Sequence, residues 1–278
     1  MCQFCVEHGE GERWYLQAKN YAFDLESDLK RRDYMVDFIS GFPQMREGAI
    51  KWLDRAEYLP APLARAGKAA ASRHMQKLHF GQVLPLEECE KVFALATSIT
   101  VIPCICRMNT PGKKADEVCI LVTTQPVTPI LEAGFKDYES GPGLEDFHTV
   151  TSDEAMALVR SCEDEGLLHS VWTFHTPFAA AICNCNLESG CMAMRLTAGY
   201  ELQMMWRAET VAVLDEEQCT ACGRCARICP FDAFTAEKGR VTLHAEQCYG
   251  CGICRSVCRS DALALVDRST VPAVATLW

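Results

Sequence analysis

The C-terminal part of the chain carries one cysteine run twice. From Glu217 it reads EQCTACGRCARICPFDA, and from Glu246 it reads EQCYGCGICRSVCRSDA. Glu217, Gln218, Cys219, Cys222, Gly223, Cys225, Cys229, Asp232 and Ala233 thus recur 29 residues later as Glu246, Gln247, Cys248, Cys251, Gly252, Cys254, Cys258, Asp261 and Ala262. Such a duplication predicts two copies of one supersecondary unit related by an approximate two-fold axis. Each copy is spaced C-x2-C-x2-C-x3-C. Three sulfurs two residues apart can wrap one metal–sulfur cube from a tight loop, whose glycine lets the backbone approach closely. The fourth falls in the next helical turn and points away. Zinc knuckles instead use C-x2-C pairs that lie far apart in sequence.

This spacing resembles that of bacterial ferredoxins carrying two 4Fe-4S clusters. The resemblance implies a crossed ligand set: Cys219, Cys222, Cys225 and Cys258 for one cluster, and Cys248, Cys251, Cys254 and Cys229 for the other. Pro230 follows Cys229 as in that family, whereas Arg259 follows Cys258. A cation there would favour the more negative, reduced state of the nearby cluster and raise its potential. The apolar, β-prone pieces TVAVL at 210, RVTL at 240 and ALALV at 262 flank the loops, as expected for a small α+β module.

The whole chain has 278 residues, 18 cysteines and a net charge of −10. The first twenty residues are interrupted by Glu7, Glu10, Glu12, Arg13 and Lys19, so no secretory signal is expected there. The most apolar run, FALATSITVIPCIC, is too short for a bilayer span. A cytoplasmic location follows as an expectation, and in a reducing compartment this many thiols point to metal or redox chemistry rather than disulfides. The acidic excess falls almost entirely on residues 99–278, with the cysteines. Such a surface repels nucleic acid and steers basic redox partner proteins inward. Homo- or hetero-oligomerisation is left open.

Eight cysteines lie outside the repeat and outside evident helix cores. Cys104 and Cys106 stand in ITVIPCICR, Cys119 in EVCILV, and Cys183, Cys185 and Cys191 in ICNCNLESGC. In an extended strand, Cys104 with Cys106, and Cys183 with Cys185, would point to one side, converging thiols as metal ligands do. Gly190 frees the backbone before Cys191 for a loop that closes over a metal. Cys2 and Cys5 open the chain as C-x2-C, which with His8 suits a further metal site. By contrast Cys89 and Cys162 occupy the apolar stripes of helices, the second opened by a Thr151–Glu154 capping box and ended by Gly166. Both read as buried fillers.

Residues 99–210 resemble, taken with the ferredoxin motifs, a family of multicluster iron–sulfur proteins of anaerobic bacteria and archaea. Its pattern is a PC-x-CR strand, a cysteine before an apolar run, DEA and EDEGL elements, and CNC with further cysteines. Here these are Pro103–Arg107, Cys119, 151–168 and Cys183–Cys191. The resemblance implies a third cluster and assigns no substrate.

Residues 12–98 read as helical, with Ala49, Trp52, Leu53 and Ala56 on one face and Pro60 and Pro62 breaking the chain before a helix at 62–79. No G-x-G-x-x-G loop follows a strand, so neither flavin nor nicotinamide is expected. The expected architecture is α+β: a helical region (1–98), a cysteine-rich α/β domain (99–210), a two-cluster ferredoxin-like domain (211–267) and a tail (268–278). The expected function is a multicluster electron carrier or redox subunit rather than a stand-alone enzyme. The alternative is a reductase with an open-site cluster serving a small substrate or a corrinoid partner.

Overall fold

The computed structural model describes residues 2–21, 25–138 and 142–277. Its elements run α1 (Gln3–His8), α2 (Leu25–Ala56), α3 (Ala61–Leu78), β1 (Gly81–Leu84), α4 (Leu86–Leu95), β2 (Ser98–Ile102), α5 (Ile105–Met108), β3 (Cys119–Thr123), α6 (Thr128–Phe135), β4 (His148–Thr149), α7 (Ser152–Asp164), β5 (Leu168–Thr173), β6 (Ala179–Cys185), α8 (Met192–Met194) and β7 (Met205–Trp206). The cysteine repeat follows as β8 (Thr210–Leu214), α9 (Arg224–Ile228), β9 (Phe234–Glu237), β10 (Arg240–Leu243), α10 (Ile253–Ser256) and β11 (Leu263–Asp267). The fold is α+β, with helices leading and the cysteine repeat near the C-terminus.

β1 to β7 form one sheet of order β4-β2-β3-β6-β5-β1-β7, antiparallel except where β1 meets β7. Alternation along the strands gives it two apolar faces. Ile99, Val101, Ile120, Val122, Val171 and Ile182 pack with Val92 and Phe93 of α4 and Ala155 and Val159 of α7. The opposite face carries Cys119, Leu121, Leu168, Trp172, Ala181 and Cys185, packed with Met35 and Ile39 of α2 and Leu131 and Phe135 of α6. The cysteines therefore sit under the long N-terminal helix.

The capping box appears as expected: Thr151 Oγ1 accepts from the Glu154 amide, and Glu154 accepts from the Thr151 amide. Cys89 and Cys162 are buried among apolar neighbours. The proline break also falls as expected, with α2 ending at Ala56 and α3 opening at Ala61. Two expectations differ. The stretch 12–98 also contains β1, whose four residues are all buried and whose Gly81 lies against the Trp172 ring. Its apolar run was too short to mark a strand. Trp52 is 41% exposed while Leu53 and Ala56 are buried, so the inward stripe of α2 runs Met35, Ile39, Phe42, Leu53, Ala56.

Two small sheets build the repeat region: β8 with β11, and the β9–β10 hairpin. Salt bridges and hydrogen bonds join it to the rest. Arg255 of α10 is bidentate to Glu87 of α4 (2.6 and 3.0 Å), and Arg207 donates to the Cys248 carbonyl at 2.6 Å. Among the described residues no helix is long and apolar enough to cross a membrane.

α2 and α6 approach closely because Gly134 has no side chain; a Cβ there would meet Ile39 at 2.8 Å. Gly134→Val should lower stability by about 1–3 kcal/mol through overpacking. Denaturant unfolding of the variant and the parent would show it.

Candidate metal centres

In the repeat, both cysteine loops turn on residues with left-handed backbone. Gly223 (φ 68°) and Gly252 (φ 85°) cap α9 and α10. Gly250 (φ 73°) lies so close to the Thr210 carbonyl that a side chain would overlap it. Backbone amides already face the sulfurs: Ala221 N–H donates to Cys219 Sγ (3.4 Å), Gly250 N–H to Cys248 Sγ (3.3 Å) and Ala212 N–H to Cys248 Sγ (3.4 Å). Donors of this kind stabilise negative charge on a metal-bound sulfur.

Cys219, Cys222, Cys225 and Cys258 line one small cavity. Cys229 lies instead within electrostatic reach of Cys248, Cys251 and Cys254. The two groups have unlike surroundings. Cys222 is exposed, and a hydrogen bond from the Arg224 amide lowers its thiol pKa. Cys251 is buried, and burial pushes its thiol up to about 12.

The upstream cysteines also meet. β3 pairs with β6 so that Cys119 stands opposite Cys183, and the pleat puts Cys185 on the same side as Cys183. Cys104 and Cys106 arrive differently from expectation. β2 stops at Ile102, Cys104 caps α5, and Cys106 lies in its first turn. Pro103 and the helix turn, rather than a strand pleat, bring this pair together. Cys191 caps α8 after Gly190 (φ 80°), whose missing side chain makes room for Thr110.

The six sulfurs form a ladder. Its rungs are Cys106–Cys191, Cys104–Cys185 and Cys119–Cys183; its rails are Cys106–Cys104–Cys119 and Cys191–Cys185–Cys183. Hydrogen bonds from Cys106, Cys119 and Cys185 hold the Cys104 thiol well below its ordinary pKa. The same hydrogen bonds, then burial, hold Cys106, Cys119 and Cys185 above theirs.

A cavity of about 290 Å³ opens on all six thiols. It is roughly twice the ~150 Å³ apolar cavity that accommodates benzene. Phe38, Phe42, Leu53 and Trp52 of α2, with Met192 and Met204, provide its apolar wall. His79 also borders it and donates its Nδ1–H to the Thr173 carbonyl (2.7 Å). His169 lies on the strand position between Leu168 and Ser170, with Nδ1 bonded to Asn184 Oδ1 at 2.7 Å. Asn184 alternates with the two cysteines of β6 and donates to the Val118 carbonyl, tying β3 to β6.

Cys2 and Cys5 are brought together, with Sγ atoms 3.0 Å apart. His8 packs on the Phe4 ring instead of joining them. The third potential ligand is Glu209: its Oε1 lies 3.3 Å from Cys5 Sγ and accepts the Cys2 amide at 3.0 Å. All three are buried. Burial pushes the Glu209 carboxyl up, but hydrogen bonds from Cys2 and the Arg268 charge outweigh it and lower the pKa overall. No local sequence signal marks Glu209, which lies 207 positions from Cys2.

Residues 212–235 match the family described as a 4Fe-4S binding domain. The chain is iron–sulfur protein in at least this part. The match spans Cys219, Cys222, Cys225 and Cys229, supports at least one 4Fe-4S cluster, and indicates electron transfer in general. No curated protein matches the chain.

Burial lowers the pKa of His79 and of His169 to about 4, against 6.5 for a free histidine. The unfolded chain binds the extra protons, so this contribution to stability is complete above pH 6.5 and is lost as pH falls toward 4. The urea midpoint should fall between pH 6.5 and 5, and His79→Gln should flatten that fall. An unchanged slope in the variant would remove His79 from the account.

Proposed function

We propose that this protein is a multicluster electron carrier in which the repeat region holds two 4Fe-4S clusters and the upstream cysteines hold a further one. The observation that carries this reading is a shared core: Cys251 and Ile253 of the second repeat loop pack in the same apolar cluster as Cys104, Cys119, Cys185 and Cys191. Phe231 and Tyr249, stacked with ring centroids 3.9 Å apart, border that core from the repeat side. When bound, such clusters accept and release single electrons. The chain's part is to fix their ligands, supply amide donors to the sulfurs and exclude water.

The crossed ligand set, Cys219/Cys222/Cys225/Cys258 and Cys248/Cys251/Cys254/Cys229, is supported by the two groupings of thiols. The exposed Cys222 marks the entry side. Asp215, Glu216 and Glu217, just before the first cysteine loop in sequence, are exposed and suit a basic redox partner. Cys2, Cys5 and Glu209 offer two sulfurs and one oxygen within 4.8 Å of one another, a set suited to a single zinc ion.

The cavity favours a second reading, a reductase whose small apolar substrate or corrinoid partner reaches the upstream centre past Trp52 and Met192. Stopped-flow reduction by a low-potential donor, followed by transfer to a basic acceptor, separates the two. The carrier reading expects one-electron transfer that slows as salt rises, since exposed charges are screened within about 8 Å at physiological ionic strength. Catalytic turnover of a small molecule by the isolated protein would favour the reductase.

Cys222→Ser should impair one of the two repeat clusters and spare the other, read by EPR of the anaerobic, reduced protein. Zinc at native stoichiometry without inorganic sulfide would overturn the cluster assignment.

A further inference from the structure

A single 4Fe-4S cube has four iron corners to be ligated. The upstream centre presents six thiols. Cys106 and Cys183 are only partly buried while the other four are buried, but the four buried sulfurs run as a zigzag, Cys119–Cys104–Cys185–Cys191, and do not form a square. Every sulfur in the ladder has at least two sulfur neighbours, while Cys104 and Cys185 in the middle have three. A square of four can be drawn at either end of the ladder, and both squares share the Cys104–Cys185 rung. Choosing one strands the outer pair of the other, Cys119 with Cys183 or Cys106 with Cys191.

The arrangement is also too open for one ion. Among the described residues, three potential ligand atoms all within 4.8 Å of one another occur at Cys2, Cys5 and Glu209 and not among the six. The ladder divides instead into two trios by chain segment. Cys104, Cys106 and Cys119 come from the β2–β3 connection; Cys183, Cys185 and Cys191 come from β6 and the loop after it. Each trio contains one cysteine that caps a short helix, Cys104 before α5 and Cys191 before α8.

Three sulfurs per segment leave each four-iron unit one corner short of full ligation. The repeat loops meet the same shortage with a cysteine from the opposite copy. Here the other cysteines of the core are placed differently: Cys162 is a buried residue of α7, and Cys251 neighbours Cys248 and Cys229. A sulfide shared between two four-iron units fills the missing corner of both at once. Two cubes joined in this way leave about six corners for protein thiolates.

We propose that Cys104, Cys106, Cys119, Cys183, Cys185 and Cys191 together bind one eight-iron centre, two four-iron units linked by a bridging sulfide, with one cysteine trio holding each unit. This rests on the reading of the upstream cysteines as a cluster site. The cavity bordering all six thiols lies where the extra atoms would stand.

The test is native mass spectrometry of the full chain, purified and handled without oxygen, combined with iron and sulfide analysis. The expected load is about 16 irons and about 17 sulfides per chain, counting two 4Fe-4S clusters in the repeat. Single Cys→Ser changes at each of the six positions should all diminish the load beyond the repeat clusters. About 12 irons, with two of the six substitutions silent, would overturn the eight-iron centre and leave a third cubane standing. About 8 irons would overturn both readings. About 16 irons with only about 16 sulfides, and Mössbauer spectra of magnetically independent cubes, would replace the bridged centre with two separate ones. Because the parent protein's mass decides between these outcomes, a variant that fails to fold does not blunt the test.

Discussion

The pairing of Cys119 with Cys183 across β3 and β6 is the constraint on which the upstream centre depends. Side chains alternate along a strand, so a shift of one residue would turn Cys183 and Cys185 toward α4 and α7. It would also bring Asn184 to the side facing α2. The Asn184 amide to the Val118 carbonyl, and its oxygen to His169, hold that register from the opposite face. A polar pair buried behind the sheet thus decides where the sulfurs stand in front of it.

The repeat region was largely legible in the sequence because its information is local. The cysteine spacing, the glycines at positive φ and the strands at TVAVL, RVTL and ALALV all lie within a few residues of one another, and each appears as β8, β10 or β11 or as a loop between them. The strand β9 escaped notice because Phe234 alone faces inward while the rest of it is exposed. The upstream site was legible as a set of residues but not as a shape. Their convergence from segments up to 87 positions apart was expected, yet Cys104 and Cys106 reach it from a helix cap, since proline at 103 ends the strand early. That the N-terminal helices would roof this site had no local signature; their apolar stripe says only that something covers it. Glu209 beside Cys2 and Cys5 belongs to the same class, a long-range neighbour visible only in three dimensions.

Charge and burial divide labour between the two ends of the molecule. The sulfurs upstream are enclosed by apolar side chains, where unbalanced negative charge is costly, so a metal proposed there would have to balance the charge of its thiolates within the protein interior. In the repeat, amides and solvent share that task, and Cys222 meets water directly. The polar environment there eases charge changes on a cluster, while the interior would hold the proposed upstream centre in a medium that resists them.

The joint between the repeat and the sheet has a consequence for timing. Arg255 grips Glu87 with two hydrogen bonds, Arg207 holds the Cys248 carbonyl, and Arg268 pairs with Glu209 in a buried contact of 3.3 Å. The repeat is therefore bolted to the sheet rather than tethered to it by a swinging linker. Electrons crossing between them would tunnel over a fixed gap, at a rate indifferent to solvent viscosity; only the arrival and departure of an outside partner would feel how thick the medium is.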